Sequence, residues 1–244
     1  MIRSYGISEA GLVRRVNEDC IFIGEKPFFI LADGMGGYAG GQVASTSAVE
    51  AVKTFFSTLA EDRYSEQTLR EAVLCANRAI LHRKLTADEF QDMGTTLIVA
   101  AVHGGNLYWA HVGDSRLYIL KRDDFSQVTK DHSFVMSLVE EGKITREEMR
   151  GHPRKNEITR AVGIRPALEV DTGTVPLTEP LMILICSDGL TLVDDTVLET
   201  ALRACGDTED ALKECAEKLL CEVYDAGATD NISAIFIQFT PDAT

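Results

Sequence analysis

What this sequence lacks narrows its class before any motif is read. Its six cysteines, Cys20, Cys75, Cys186, Cys205, Cys215 and Cys221, contain no C-x-x-C pair. They sit mostly within apolar patterns, which favours small buried hydrophobes in a reducing compartment over disulfides or zinc ligands. No apolar run approaches the ~20 residues of a membrane span. The opening MIRSYGISEA lacks the basic-then-apolar build of a signal peptide. Positive charge is scarce as well: 24 Lys and Arg stand against 38 Asp and Glu, a formal charge of −14. That balance disfavours nucleic acid and anionic membrane as partners, and bound cations would cancel part of it. The histidines, His82, His103, His111, His132 and His152, are too scattered to form a ligand set, and no G-K-[ST] phosphate loop is present. What remains is a soluble cytoplasmic protein, expected to be monomeric, whose 244 residues at 45% hydrophobic content can fill a core.

Periodicity then predicts mixed elements. IFIG and FFILAD over 21–32 read as a hairpin turning at Glu25-Lys26-Pro27. Helical spacing follows over 42–60, with Val43, Ala44, Ala48, Ala51, Val52, Phe55 and Leu59 on one face, and over 65–85, with Leu69, Val73, Ala76 and Ile80. From Gly94 short strands alternate with turns, an antiparallel meander broken at Gly104-Gly105-Asn106 and Asp123-Asp124. Short helices and loops are expected over 133–165, strands at 168–175, 181–187 and 231–239, and helices at 195–204 and 209–225. With no repeat or linker, the chain reads as one α+β domain over 1–244.

The most informative pattern is a recurring aspartate. Three apolar runs end in one, FFILADG at Asp33, YWAHVGD at Asp114 and MILICSDG at Asp188, and a fourth, Asp230, opens DNISAIFIQF. Strand ends are held by the sheet behind them and can aim side chains at a shared point, so four aspartates so placed predict a metal site. Gly34, Gly36 and Ala39 mimic a dinucleotide fingerprint. However, Asp33 would set a carboxylate beside the pyrophosphate, and no second strand ends in an acid about 20 residues on. Arg14, close to Asn17-Glu18-Asp19, gains weight beside such a site because guanidinium grips phosphate oxygens through paired hydrogen bonds.

At these positions the sequence resembles the metal-dependent protein phosphatases of the 2C type, in their bacterial serine/threonine branch. The matching elements are R14-x-x-N-E-D19, A32-D-G-M-G-G37, G94-T-T96, V112-G-D-S-R116, T129-K-D-H132, the stretch from Phe134 to Gly163, C186-S-D-G-L190 and T229-D-N231. They keep the family's order from about residue 3 to 239. The resemblance implies a four-layer sandwich, two packed antiparallel sheets flanked by helices, with a flap over about 133–165. It implies that Asp33 bridges two cations, that the Gly34 carbonyl ligates one, and that Asp188 and Asp230 complete the other. Asp114 would share a third, looser ion with Asp188. Glu18 and Asp19 would orient metal-bound water or touch a metal, and Arg14 would hold the phosphate. The implied activity is hydrolysis of phosphoserine and phosphothreonine in proteins, opposing a bacterial serine/threonine kinase.

Elementary chemistry agrees. An oxygen-only donor set selects hard ions such as Mg²⁺ or Mn²⁺, and two such ions can share a water, lower its pKa and aim it at phosphorus. Where some eukaryotic relatives carry a histidine after the Asp-Gly pair, this chain has Met35, so the acid for the leaving alkoxide must come from elsewhere, from metal-bound water or from His132. The basic residues of 143–165, Lys143, Arg146, Arg150, Arg154, Lys155, Arg160 and Arg165, fit either a solvated face or a phosphopeptide-attracting flap. Cys186, two residues before Asp188, raises a redox question to which the inert, buried reading is the favoured answer. Two rival functions remain, a binding module that has lost catalysis and a phosphatase for small metabolites.

Overall fold

A computed structural model describes residues 1–36, 40–59, 63–86 and 90–241; Gly37, Ala39 and Ala60, which entered the motif and helix readings, lie outside the described residues. The first half runs β1 (Ile2–Glu9), β2 (Asp19–Ile23), β3 (Phe28–Met35), α1 (Gly40–Ser57), α2 (Glu66–Lys84), β4 (Gly94–Thr95), β5 (Leu97–His103) and β6 (Asn106–Val112). The second half runs β7 (Arg116–Leu120), β8 (Phe125–Gln127), α3 (Phe134–Glu140), α4 (Arg146–Gly151), β9 (Asp171–Pro176), β10 (Leu181–Cys186), α5 (Asp195–Arg203), α6 (Glu209–Asp225) and β11 (Ile232–Phe239).

The strands form two antiparallel sheets, one ordered β1-β11-β10-β7-β8 and the other β2-β3-β5-β6-β9, with β4 on the flank of β3. The two-residue period of each strand sorts its side chains between layers. In β3, Phe29 and Leu31 point between the sheets, while Ile30 and Ala32 pack with Ala48, Val52, Leu69 and Val73 of α1 and α2. In β10, Ile183 and Ile185 face inward, while Leu184 and Cys186 meet Leu198, Leu212 and Leu219 of α5 and α6. The result is the helix, sheet, sheet, helix sandwich. Among the described residues no helix is long and apolar enough to cross a membrane.

β1 is an element that periodicity did not announce. IRSYGISE carries little apolar weight, yet it pairs with β11 over its whole length, from Ile2 against Phe239 to Glu9 against Ile232. Ile2 joins the inter-sheet core while Tyr5 and Ile7 pack on the helical side, so Ser4, Gly6 and Ser8 share the inner face with Ile2. That face must be thin: a Cβ on Gly6 would stand 2.9 Å from Ile21 Cδ1 of the opposite sheet. Small residues serve close approach here, and they erase the hydrophobic alternation from which strands are read.

Residues 133–165 carry the short helices α3 and α4 around a small cluster of Val135, Met136 and Met149. The segment returns to the body at a bridge between Thr95 and Val162. Beyond it, Gly163 turns at φ +86, and Asn77, buried in α2, accepts from Gly163 N at 2.7 Å and donates to the Arg165 carbonyl at 2.9 Å. Asn77→Ala would leave both backbone groups without their partner. It is expected to lower the unfolding free energy by about 2 kcal/mol, read as a lower urea midpoint at unchanged m-value.

Candidate metal centre

The inward-facing stripe of strand after strand turns from aliphatic to polar at one end of the sandwich. β2 carries Ile23 and Ile21, then Asp19; β3 carries Phe29 and Leu31, then Asp33; β11 carries Ile237 and Ile235, then Ser233. On the same parity β5 leads back to Thr96, β7 to Ser115 and β10 on to Ser187. The hydroxyls hold the acids' surroundings in place. Thr96 Oγ1 accepts from Asp33 N at 3.0 Å and bonds Ser115 Oγ at 2.7 Å. Ser187 Oγ donates to Asp19 Oδ2 at 2.9 Å and accepts from Ser233 N at 3.0 Å. Asp114 enters from the turn after β6, Asp188 from the turn after β10, and Asp230 from the turn before β11.

Burial, followed by mutual repulsion, raises the acids' pKa values. Asp19 is pushed up to about 7 against the donor bonds that reach it, and Asp114 to about 8. Asp33 and Asp188 move upward for the same reasons, and Asp33 lies within carboxyl hydrogen-bonding reach of Asp188. Asp19 Oδ1 is buried without a partner. Desolvated, mutually repelling oxygen donors with one unsatisfied atom among them fit hard divalent cations. Gly34 fits as well, because a Cβ there would stand 2.1 Å from Gly41 O and 2.5 Å from Glu18 O, so only glycine lets this backbone run against α1. Among the described residues no three acids, histidines or cysteines are yet drawn into a closed ligand set; the acids flank a common space.

Other expected site residues are placed more specifically than the sequence foretold. Burial raises the pKa of the Glu18 carboxyl, and Arg14 with the backbone N–H groups of Gly41 and Gln42 in the first turn of α1, where the helix dipole favours a negative charge, oppose that shift. Arg14 is half exposed and donates to Asp230 Oδ2 at 2.7 Å. Met35, the last residue of β3, carries no proton for a leaving group. His132 is not free to supply one: its Nδ1 accepts from Gly113 N at 3.0 Å, and its Nε2 lies 3.1 Å from Asp171 Oδ2 and 3.0 Å from Arg160 Nη1. Nδ1 therefore braces the turn that presents Asp114, and Nε2 is held by Asp171 and Arg160.

Asn231 is a supporting residue that went unassigned. Its Oδ1 accepts from Glu18 N at 2.9 Å, and its Nδ2 donates to the carbonyls of Ala10 at 3.1 Å and Val16 at 3.0 Å, clamping the loop that carries Arg14 to the start of β11. Thr96, Ser187 and Ser233 support the acids in the same way. Their one sequence signal is a hydroxyl where the inward aliphatic alternation breaks.

Asp114, Asp188 and Asp230 line one wall of a cleft of about 310 Å³, and Met149, Arg150, Lys155 and Asn156 line the other. Of the basic stretch, Lys155 lines the cleft; Arg150, which also reaches it, pairs with Asp194 and Asp195, Arg154 with Glu157, and Arg160 with Asp171 and Glu169.

A double antiparallel sheet that gathers acids at one end, with an arginine at its mouth, defines a protein built to hold hard divalent cations and an anionic ligand. The chain belongs to the protein phosphatase 2C family, whose model matches residues 16–229. It is 34% identical over 239 residues to the serine/threonine phosphatase stp of Listeria welshimeri, covering 95% of this chain and 93% of that protein. It is 36% identical over 243 residues to the serine/threonine protein phosphatase PstP of Mycobacterium tuberculosis, covering 96% of this chain and 44% of that longer one. Among solved structures it resembles the Mycobacterium tuberculosis phosphatase PstP/Ppp with a TM-score of 0.88 at 34% identity, covering 98% and 99% of the two chains. It also resembles the PstP catalytic domain in complex with two manganese ions, with a TM-score of 0.86 at 33% identity over 98% and 99%.

One buried group beside the centre makes the fold acid-labile. The His111 ring stacks on His132 at 4.7 Å, neither of its nitrogens has a hydrogen-bond partner, and burial, then His132, pushes its pKa down to about 3. In the unfolded chain an ordinary histidine titrates near 6.5. Between those two values the unfolded state binds the extra proton, so stability is lost as pH falls below about 6.5. At pH 5 the loss amounts to about 2 kcal/mol. Subtracting the stability-versus-pH curve of His111→Leu from that of the wild type is expected to reveal this slope; a flat difference between pH 7 and 5 would show that His111 is already charged or hydrated in the fold.

Proposed function

We propose that this chain hydrolyses phosphoserine and phosphothreonine in proteins, using two divalent cations, Mn²⁺ or Mg²⁺, held at the acidic end of the sandwich. The observation that carries the reading is the gathering of buried Asp19 and half-buried Asp33, Asp114 and Asp188, each pushed upward in pKa, around a space that also receives Asp230. The names of the relatives support it, as does the two-manganese complex of one of them. Asp33 and the Gly34 carbonyl, with Asp188 and Asp230, would hold the two tight ions; Asp114, with Asp188, would hold a third, looser one, and Asp19 and Glu18 would stand behind them. Bound there, the cations supply Lewis acidity and lower the pKa of water toward neutrality.

The remaining work falls to the chain's own side chains. Arg14, at the mouth, would grip two phosphate oxygens in parallel hydrogen bonds, and its bond to Asp230 supports that role. Lys155 gives the far wall of the cleft a positive charge for a phosphorylated segment, while Arg150 beside it pairs with Asp194 and Asp195. Ser187 and Thr96 keep Asp19 and the Asp33 backbone in register. We read residues 1–244 as one phosphatase domain with 133–165 as its flap, acting as a cytoplasmic monomer opposite a serine/threonine kinase.

Chelation with EDTA is expected to abolish turnover of a phosphothreonine peptide, and Mn²⁺ to restore it. Asp33→Asn and Asp188→Asn are each expected to lower kcat at least ~100-fold. Full activity of either variant in saturating Mn²⁺ would refute the ligand assignment, and a preference for sugar phosphates over phosphopeptides would move the substrate to small metabolites.

Arg14→Ala is expected to act chiefly on KM, since the arginine contacts phosphate in ground and transition states alike. The loss of charge-assisted bonds is worth about 1.5–3 kcal/mol, or roughly ten- to hundredfold in KM. For Asp114→Ala the expected pattern is different: calorimetry still counts two tight ions, while phosphoprotein turnover falls sharply, because an ion held by one or two carboxylates binds weakly. Loss of both tight ions in that variant would remove Asp114 from a separate site.

A further inference from the structure

We propose that Cys205 and Cys215 form a peroxide-oxidisable pair that closes to a disulfide across the contact between α5 and α6. The arrangement is reciprocal. Cys205 Sγ donates to the carbonyl of Ala211 at 3.5 Å, and Cys215 Sγ donates to the carbonyl of Ala201 at 3.4 Å. Each acceptor lies four residues, one helical turn, before the other cysteine, which brings the two thiols to one contact between α5 and α6. Cys205 is partly exposed just beyond the end of α5, whereas Cys215 is buried in α6.

This pairing divides the chemistry between the two sulfurs. The neighbouring Cys215 pulls the Cys205 thiol down, with Lys218 assisting, while the neighbouring Cys205 and then burial push the Cys215 thiol up. A partly exposed sulfur beside a buried second thiol is the arrangement that takes up oxidant and then resolves it. Cys186, the cysteine the sequence pointed to, is fully buried with its thiol pushed up to about 12. The pair stands away from the metal centre: Gln238, at the opposite end of β11 from Asp230, bonds Gly206 O at 3.3 Å and Asp207 Oδ1 at 2.9 Å in the loop after Cys205.

The oxidant is hydrogen peroxide or a related hydroperoxide. The Cys205 thiolate attacks one peroxide oxygen, the O–O bond breaks, and the departing hydroxide leaves as water, giving a sulfenic acid. The Cys215 sulfur then attacks the Cys205 sulfur, the S–O bond breaks, the hydroxyl leaves as a second water with the Cys215 proton, and the S–S bond forms. Two thiols lose two electrons and one peroxide becomes two waters.

The test treats the full chain, loaded with Mg²⁺, with a small excess of hydrogen peroxide and maps thiols by mass spectrometry after non-reducing digestion. The expected product joins the peptides containing Cys205 and Cys215 and is two hydrogens lighter than their sum, and dithiothreitol reverses it. In Cys215→Ser a dimedone adduct on Cys205 is expected in its place, and in Cys205→Ser the Cys215 thiol stays reduced. Oxidation confined to Cys221, or oxidation of Cys215 in Cys205→Ser at the wild-type rate, would overturn the proposal. The wild-type map decides the matter even where a variant folds poorly.

Discussion

Negative charge crowded into a desolvated space is the constraint on which the rest of this structure depends. Asp19 is buried and Asp33, Asp114 and Asp188 are half-buried at or just beyond strands whose inward neighbours are Ile, Leu and Phe, so each loses hydration and gains a repelling neighbour. Such a cluster is unfavourable by itself and needs protons, an arginine or bound cations to balance it. Arg14 on Asp230, the Asp33 to Asp188 contact and the donor bonds on Asp19 are the balancing interactions the chain supplies. A hard divalent cation would answer the same requirement more strongly, which would couple fold stability to metal affinity at this end of the molecule.

The sandwich makes that crowding possible. Two sheets packed through Phe29, Leu31, Ile98, Ile183, Ile185, Ile235 and Ile237 form a rigid platform, and the acids project from its rim. Rigidity at the rim comes from hydroxyls rather than from apolar contacts. Thr96 with Ser115 and Ser187 with Ser233 satisfy backbone and carboxylate groups that water would otherwise reach. Asn231 and His132 extend the same bracing to the Arg14 loop and the Asp114 turn, so a polar scaffold surrounds the acids on all the strands that carry them.

Much of this was legible along the chain, and the exceptions have physical causes. The β2 to β3 hairpin, the meander, α2 and α6 announce themselves through period and turn residues, and the aspartates through their place at the ends of apolar runs. β1 was missed because close packing against β2 demands Ser and Gly on the inner face, which removes the alternation a strand shows when it packs at ordinary distance. Glu18 reads as one more acid in a loop, but its use at the first turn of α1 depends on where that helix begins relative to a distant strand. His132 reads as a candidate acid, yet its nitrogens are committed to Gly113 and Asp171, partners 19 and 39 residues away.

The sequence by itself determined the class of elements, the oxygen-only donor set and the residue types able to hold a hard cation, because these depend on local period and side-chain chemistry. The tertiary structure alone decided which acids become desolvated neighbours, which basic residues of 143–165 reach the cleft, and which cysteines meet. Lys155 lines the cleft beside the acids while Arg150, Arg154 and Arg160 are drawn into ion pairs, and Cys205 and Cys215 come together at the contact between α5 and α6. Those outcomes turn on the register of strands and the crossing of helices distant in the chain. Register sets which carboxylates share a dielectric environment, and no local pattern encodes it.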